Sequence, residues 1–311
     1  MIKRYTKITI ISILSLVIAI ELGYIINNNV LKNNINDVVV ATPTPLPVVG
    51  GDKVEQPTGE ARIIVIDPGH GKPSSYMTDS EKLESGWVRN SSGQWGEWRH
   101  YKTGTVNTDC EGSGCSGRVT PNGACWYPIE NSDRNTEPDI NLRNALSAQQ
   151  HLENMGYTVR LTRTSNDENP SIAKRLSYCY PDNDTTKEPE AELFISIHSN
   201  AVGGSANGSA YISTRGVYDQ KWIDRDYVKD SNTLGKLCND YIVEMTSLNL
   251  YNSGEITWEP ELIAFCKSPV PCGYLEIGFF DNSSDLDIIN AEFNNIGMAI
   301  AKGVDEFCKT H

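Results

Sequence analysis

Between Arg62 and Lys72 the chain runs Ile63-Ile64-Val65-Ile66-Asp67-Pro68-Gly69-His70-Gly71, and nothing else in the sequence restricts the fold so strongly. Four consecutive β-branched residues predict a strand buried on both faces, because a strand with one wet face would alternate with polar residues. Asp-Pro-Gly then ends it, since proline has no amide hydrogen to give a neighbouring strand. A histidine is thereby set at the carboxyl end of a central strand, the edge at which open α/β sheets bind ligands. Glycine on either side of His70 leaves room for a metal and a substrate. On this segment alone a solvated turn histidine accounts for the residue equally well. The rest of the chain decides between the two.

A second stretch repeats the design: Leu193-Phe194-Ile195-Ser196-Ile197-His198-Ser199-Asn200-Ala201 is an apolar run that closes on a histidine. Between the two stretches, Thr136-Glu137-Pro138-Asp139-Ile140-Asn141-Leu142 places a proline in the first turn of a helix and Glu137 at its threshold. Ile140, Leu142, Ala145, Leu146, Leu152 and Met155 recur at helical spacing until Gly156 supplies the stop, and His151 falls on the solvated flank. Residues 157–163 alternate as a strand and 171–180 predict a helix. Downstream, 208–214 read as a short strand, 230–247 as a helix, 261–266 as an apolar strand and 273–279 as the last strand. A closing helix over 285–308 carries Leu286, Ile289, Phe293, Ile296, Ile300, Val304 and Phe307 as its apolar stripe. This β-α-β alternation predicts an α/β fold with a parallel sheet whose carboxyl ends lie along one edge, so His70 and His198 converge although far apart in sequence.

The stretch from about 72 to 135 breaks the pattern. It is dense in Ser, Gly, Asn, Trp and Tyr, has no sustained period, and reads as an insertion. Trp87, Trp95, Trp98, Tyr101 and Trp126 are too many aromatics for plain disorder, which leaves a substrate-covering lid or a solvent-facing decoration.

A chain of 311 residues accommodates one good-sized domain plus appendages. The formal charge of −13 argues against nucleic acid as a partner and against a polybasic membrane patch. At the amino terminus, Lys3, Arg4 and Lys7 precede an apolar run from Ile8 to Ile26, about the length that crosses a bilayer. No small-x-small cleavage site is visible, so residues 1–27 predict an uncleaved signal anchor, with a cleaved signal peptide as the alternative. Residues 28–60, with Thr42-Pro43-Thr44-Pro45-Leu46-Pro47 at their centre, read as an extended linker, and 61–308 as the globular domain. The domain then lies on the extracellular face of the membrane, or is secreted if the segment is cleaved. Eight cysteines without a Cys-x-x-Cys pair favour disulfides in an exported protein over a structural zinc ribbon. A monomer is expected.

Only five histidines occur, and two of them end buried strands. Two imidazoles and one carboxylate, with the fourth position left to water, are the donor set of a catalytic zinc site; magnesium prefers oxygen alone. His70, Glu137 and His198 are the candidate ligands. Glu276, a carboxylate inside the apolar run Gly273-Tyr274-Leu275-Glu276-Ile277-Gly278-Phe279, is the candidate general acid and base, because an acid there is costly without a charge partner or a catalytic role. Asp67 and Asn200 read as supporting or turn residues.

The strings Asp67-Pro68-Gly69-His70-Gly71, Glu137-Pro138-Asp139-Ile140-Asn141-Leu142, Ser196-Ile197-His198-Ser199-Asn200-Ala201 and Glu276-Ile277-Gly278-Phe279-Phe280-Asp281-Asn282 resemble, in order, the four signature blocks of the zinc-dependent N-acetylmuramoyl-L-alanine amidases of the amidase 3 type. The resemblance covers about 62–308. It implies a three-layer α/β/α fold with a mostly parallel six-stranded sheet, zinc held by His70, Glu137 and His198, and catalysis by Glu276. It also implies a bacterial peptidoglycan substrate, cut at the amide between N-acetylmuramic acid and the first L-alanine of the stem peptide. Arg175 resembles an arginine that the family carries before its second histidine. The gap from His70 to Glu137, 137 − 70 = 67 residues, exceeds the family minimum and leaves Glu130 and Glu111 as alternative ligands, although the helix entry favours Glu137. Two other readings remain at this point: a zinc peptidase acting on the stem peptides, and a wall-binding module without catalysis.

Overall fold

The structure is a computed structural model and describes residues 62–72, 76–96, 98–99, 106–107, 136–213, 228–257 and 268–311. All of these lie in the second of the two compact units into which the chain divides, Glu55–His311. The elements in chain order are β1 (Ile63–Pro68), α1 (Asp79–Glu84), β2 (Val88–Arg89), β3 (Trp95–Gly96), β4 (Trp98–Arg99), β5 (Val106–Asn107), α2 (Glu137–Asn154), β6 (Thr158–Leu161), α3 (Ile172–Ser177), β7 (Ala191–Asn200), β8 (Ser209–Ser213), α4 (Val228–Met245), β9 (Leu250–Thr257), β10 (Cys272–Phe279) and α5 (Ser283–Thr310). A six-stranded sheet in the order β6-β1-β7-β10-β8-β9 forms the centre. Strands β6, β1, β7 and β10 run parallel, so their carboxyl ends share an edge. Strand β8 pairs antiparallel with β10, and β9 follows β8.

The apolar runs are explained by burial on two faces. Along β1, Ile64 and Ile66 enter one core cluster while Val65 enters the other. Strand β7 divides in the same way, with Leu193, Ile195 and Ile197 on the first face and Phe194 on the second. The first face is covered by α2, α4 and α5, and Ile172 and Leu176 of α3 pack on the second. Each wholly buried Ile or Leu contributes about 1.5–3 kcal/mol relative to an exposed one. Helices cross closely where glycine permits: a Cβ on Gly297 would lie 2.2 Å from Ser147 Oγ, and one on Gly303 would lie 2.6 Å from Cys238 Cα.

Several sequence expectations need correction. Leu146 of α2 and Phe293 of α5 are exposed, and α2 instead buries Asn141, Asn144 and Ser147. The phase of α5 is broken at Glu292, where φ −115° and ψ 18° leave the helical region, so Phe293 turns away from the core. Strand β9 was not expected, because Asn252, Ser253 and Gly254, all at positive φ, interrupt its pattern. The apolar run 261–266 lies outside the described residues, as do the amino-terminal segment 1–27, the linker and Cys110, Cys115, Cys125 and Cys266. Among the described residues, Cys179, Cys238 and Cys308 are buried free thiols, and no helix is long and apolar enough to cross a membrane.

The beginning of the insertion is ordered and docked. Thr78 and Glu81 form a reciprocal cap on α1. Trp87 is buried and donates from Nε1 to the Asn169 carbonyl at 3.0 Å, and Ser171 donates its amide to Ser85 O at 2.8 Å. Met77 and Trp87 make a small apolar cluster against which Trp95 packs. Residues 76–96 are thus fastened to the loop and helix that follow β6. Of the aromatics on which the lid expectation for 72–135 rests, Tyr101 and Trp126 lie outside the described residues, as does most of 100–135.

A buried ion pair fixes the carboxyl end of β1. Asp67 accepts from Arg175 Nη1 at 2.6 Å and from Ser196 Oγ at 2.8 Å, and also from the Thr162 hydroxyl. Burial pushes the Asp67 carboxyl up, but the Arg175 guanidinium and these hydrogen bonds outweigh it and hold it below its ordinary value. The pair's contribution to stability is therefore complete above the unfolded value of about 3.9 and is lost as pH falls through the lower folded value. Arg175→Met, which strands the carboxylate without its partner, is expected to cost about 3–5 kcal/mol in denaturant unfolding and to move acid unfolding to higher pH.

Candidate active site

His70, Glu137 and His198 meet at the shared carboxyl edge. One ligand atom from each lies within 4.8 Å of the others, and they form the one group of this kind found among the described residues. Glu137 Oε1 is 3.1 Å from His70 Nε2 and 3.2 Å from His198 Nδ1. Glu130 and Glu111, the alternative carboxylates, lie outside the described residues.

Each side chain is delivered by local chain chemistry. His70 follows the Asp-Pro-Gly break and takes φ 59°, a left-handed conformation that a non-glycine residue adopts only under constraint from its surroundings. Arg175 Nη2 supplies part of that constraint by donating to the His70 carbonyl at 2.8 Å. Glu137 is the first residue of α2, with Pro138 behind it, and is buried at the helix amino terminus where a negative charge is favoured. Its Oε1 also accepts from the Ser199 amide at 3.3 Å and from Asn141 Nδ2 at 3.5 Å. Asn141 in turn donates to Gly69 O and accepts from Ser199 Oγ, so one buried amide ties α2 to β1 and β7.

The His198 ring sits in a slot. Tyr274 stacks on it with centroids 4.5 Å apart and planes 14° apart, and the His70 ring meets it edge-on at 4.8 Å. A Cβ on Gly69 would lie 2.3 Å from two ring atoms of His198. Tyr274, Asn141 and Ser199 have roles here that the sequence reading did not assign. The signal available for Tyr274 was its position two residues before Glu276, which puts both on one face of a strand.

Burial pushes the Glu137 carboxyl up, but the facing His70 and His198 imidazoles outweigh it and hold the group far below the usual carboxylate range. Burial pulls His198 below its ordinary value against the opposing effect of the hydrogen bond it makes to the Glu137 carboxylate. An ionised carboxylate and an imidazole biased toward its neutral form are the protonation states that donate electron pairs to a metal ion. The donor set fits one small divalent cation.

Glu276 lies on the strand beside His198. The two are paired in the parallel register of β10 and β7, which places their side chains on one face of neighbouring strands about 4.8 Å apart. Glu276 is itself buried. Asn200, the last residue of β7, accepts the Ala201 amide on its side chain. Gly69→Ala is expected to force the His198 ring off Glu137, seen as displaced imidazole resonances in NMR, and to cost about 1–3 kcal/mol of stability.

The family model Amidase_3, N-acetylmuramoyl-L-alanine amidase, matches residues 64–306. No curated protein sequence matches the chain. Among solved structures, the N-acetylmuramyl-L-alanine amidase Ami1 from Mycobacterium smegmatis is similar in fold, with TM-score 0.55 and 16% identity over 80% of this chain and 98% of that one. The catalytic domain of CwlV, an N-acetylmuramoyl-L-alanine amidase from Bacillus (Paenibacillus) polymyxa var. colistinus, is 18% identical over 80% of this chain and 99% of that one, with TM-score 0.48. With the match spanning nearly the whole described domain, the chain belongs to the Amidase_3 family of N-acetylmuramoyl-L-alanine amidases.

Proposed function

We propose that His70, Glu137 and His198 hold a zinc ion and that Glu276 is the general acid and base of this peptidoglycan amidase. The observation that carries the reading is the meeting of two imidazoles and one ionised carboxylate at the sheet edge, with a second carboxylate on the adjoining strand. Two nitrogen donors and one oxygen donor suit zinc better than magnesium or calcium, which take oxygen ligands.

A bound zinc ion supplies Lewis acidity, lowering the pKa of water from about 15.7 to about 7 and polarising the scissile carbonyl. The chain supplies the proton transfers. Glu276 takes a proton from the attacking water as its oxygen bonds to the carbonyl carbon of the lactyl–alanine amide. It then delivers that proton to the alanine nitrogen as the carbon–nitrogen bond breaks. The products are a lactyl carboxylate on the uncut glycan and a peptide with a free L-alanine amino terminus. Tyr274 and Gly69 keep the His198 ring from rotating, and Asn141 and Ser199 orient the Glu137 carboxylate. Orientation of this kind is what outer hydrogen bonds contribute to metal sites.

Residues 1–27 act as a signal anchor, 28–60 as the spacer from the membrane, and the domain, 61–308, works as a monomer on the wall outside the cell.

Digestion of purified peptidoglycan, followed by mass spectrometry, tests the reaction: the products expected are intact peptides beginning with L-alanine. Glycan fragments, or peptides cut within the stem, would contradict it. Removing metal with a chelator is expected to abolish turnover and zinc to restore it. Glu276→Gln should keep its zinc, measured by elemental analysis, while turnover falls by about 10²–10⁴-fold; wild-type turnover in that variant would remove Glu276 from the mechanism.

A further inference from the structure

Arg163, directly after β6, is 1% exposed, and all five of its N–H groups have acceptors. Nε donates to Pro68 O at 2.9 Å. Nη2 donates to Gly69 O at 3.0 Å and to Pro138 O at 2.9 Å. Nη1 donates to Ser165 O at 3.2 Å and to Asn166 Oδ1 at 2.7 Å. Four of the five acceptors are backbone carbonyls, and none is a carboxylate. Burying a cation without a directly paired anion is expensive, and an apolar side chain of similar volume would serve packing alone at less cost.

The acceptors account for its presence. Pro68 and Gly69 immediately precede His70, and Pro138 immediately follows Glu137. One rigid planar group therefore spans the two backbone segments that present these side chains. A second link runs in parallel: Asn166 Nδ2 donates to Asp139 Oδ1, and the other oxygen of Asp139 accepts from the Thr136 hydroxyl, so the turn after β6 also grips both sides of Glu137. Lysine could supply the charge but not five donors in a fixed plane.

We propose that Arg163 is a positioning residue that sets the separation of His70 and Glu137 before metal arrives, so that zinc affinity, and not stability alone, depends on its hydrogen bonds. The inference rests on the reading that these two residues and His198 hold zinc. Its test uses the full 311-residue chain, stripped of metal and titrated with zinc against a chromophoric chelator. Arg163→Lys is expected to bind one zinc per chain about 10–100-fold more weakly than wild type, the range seen when outer partners of metal ligands are removed. Turnover should recover as zinc is raised to saturation. A residue that served stability alone would lower the melting temperature of the metal-free chain and leave the affinity of the folded chain unchanged. An affinity loss smaller than three-fold overturns the inference; three-fold or more supports it. If Arg163→Lys does not fold, Asn166→Ala, at a partly exposed position, decides by the same three-fold criterion. A wild-type chain that takes up no zinc would overturn the zinc reading, and this inference with it.

Discussion

The structure depends on a single carboxylate oxygen that faces two imidazole nitrogens in a buried setting. Glu137 Oε1 meets His70 and His198 at 3.1 and 3.2 Å, and an amide from Ser199 and one from Asn141 also donate to it. Removing a carboxylate from water is costly, and these donors come from three separate parts of the chain. The turn after β1, the first two turns of α2 and the end of β7 must all be in place before the charge is compensated. The apolar core beneath, from Ile64 and Ile66 through Ile195 and Ile197 to Leu275 and Ile277, supplies the stability that lets this polar edge exist.

The edge also carries strain and burial that a stability optimum would avoid. His70 holds a left-handed backbone, two arginines are buried beside it, and Asp67 is ionised in the interior. Each is held by neighbours that over-determine it: Arg175 alone bonds Asp67, the Pro68 carbonyl and the His70 carbonyl. Such concentrations of cost are common at working sites, where a rigid arrangement of charges matters more than the last few kcal/mol.

How much of this was legible follows from what a side chain announces. Strands β1, β7 and β10 were legible because burial on both faces demands unbroken apolar runs, and the terminal histidines stood out against them. Glu137 was legible through Pro138, which marks a helix start regardless of its surroundings. The buried face of α2 was not, because Asn141, Asn144 and Ser147 look like an outward flank unless their partners are known. Strand β9 was hidden by Asn252, Ser253 and Gly254, turn-forming residues inside an edge strand. Arg163 gave no sign either, since four of its acceptors are backbone carbonyls, which every sequence possesses and none displays. The cap at Thr78 and Glu81 was readable, but six helical residues are too few to produce a period.

The pairing of Glu276 with His198 across β10 and β7 has a consequence for how errors in assembly would express themselves. Alternate residues of a strand point to opposite sides, so a slip of one position between these two strands would carry the acid through to the far side of the sheet. If Glu276 has the role proposed for it, such a misaligned molecule would retain its helices and much of its greasy interior, yet be chemically inert. Correct alignment of two central strands is thus a proofreading condition on activity, met once during folding and inherited by every later turnover.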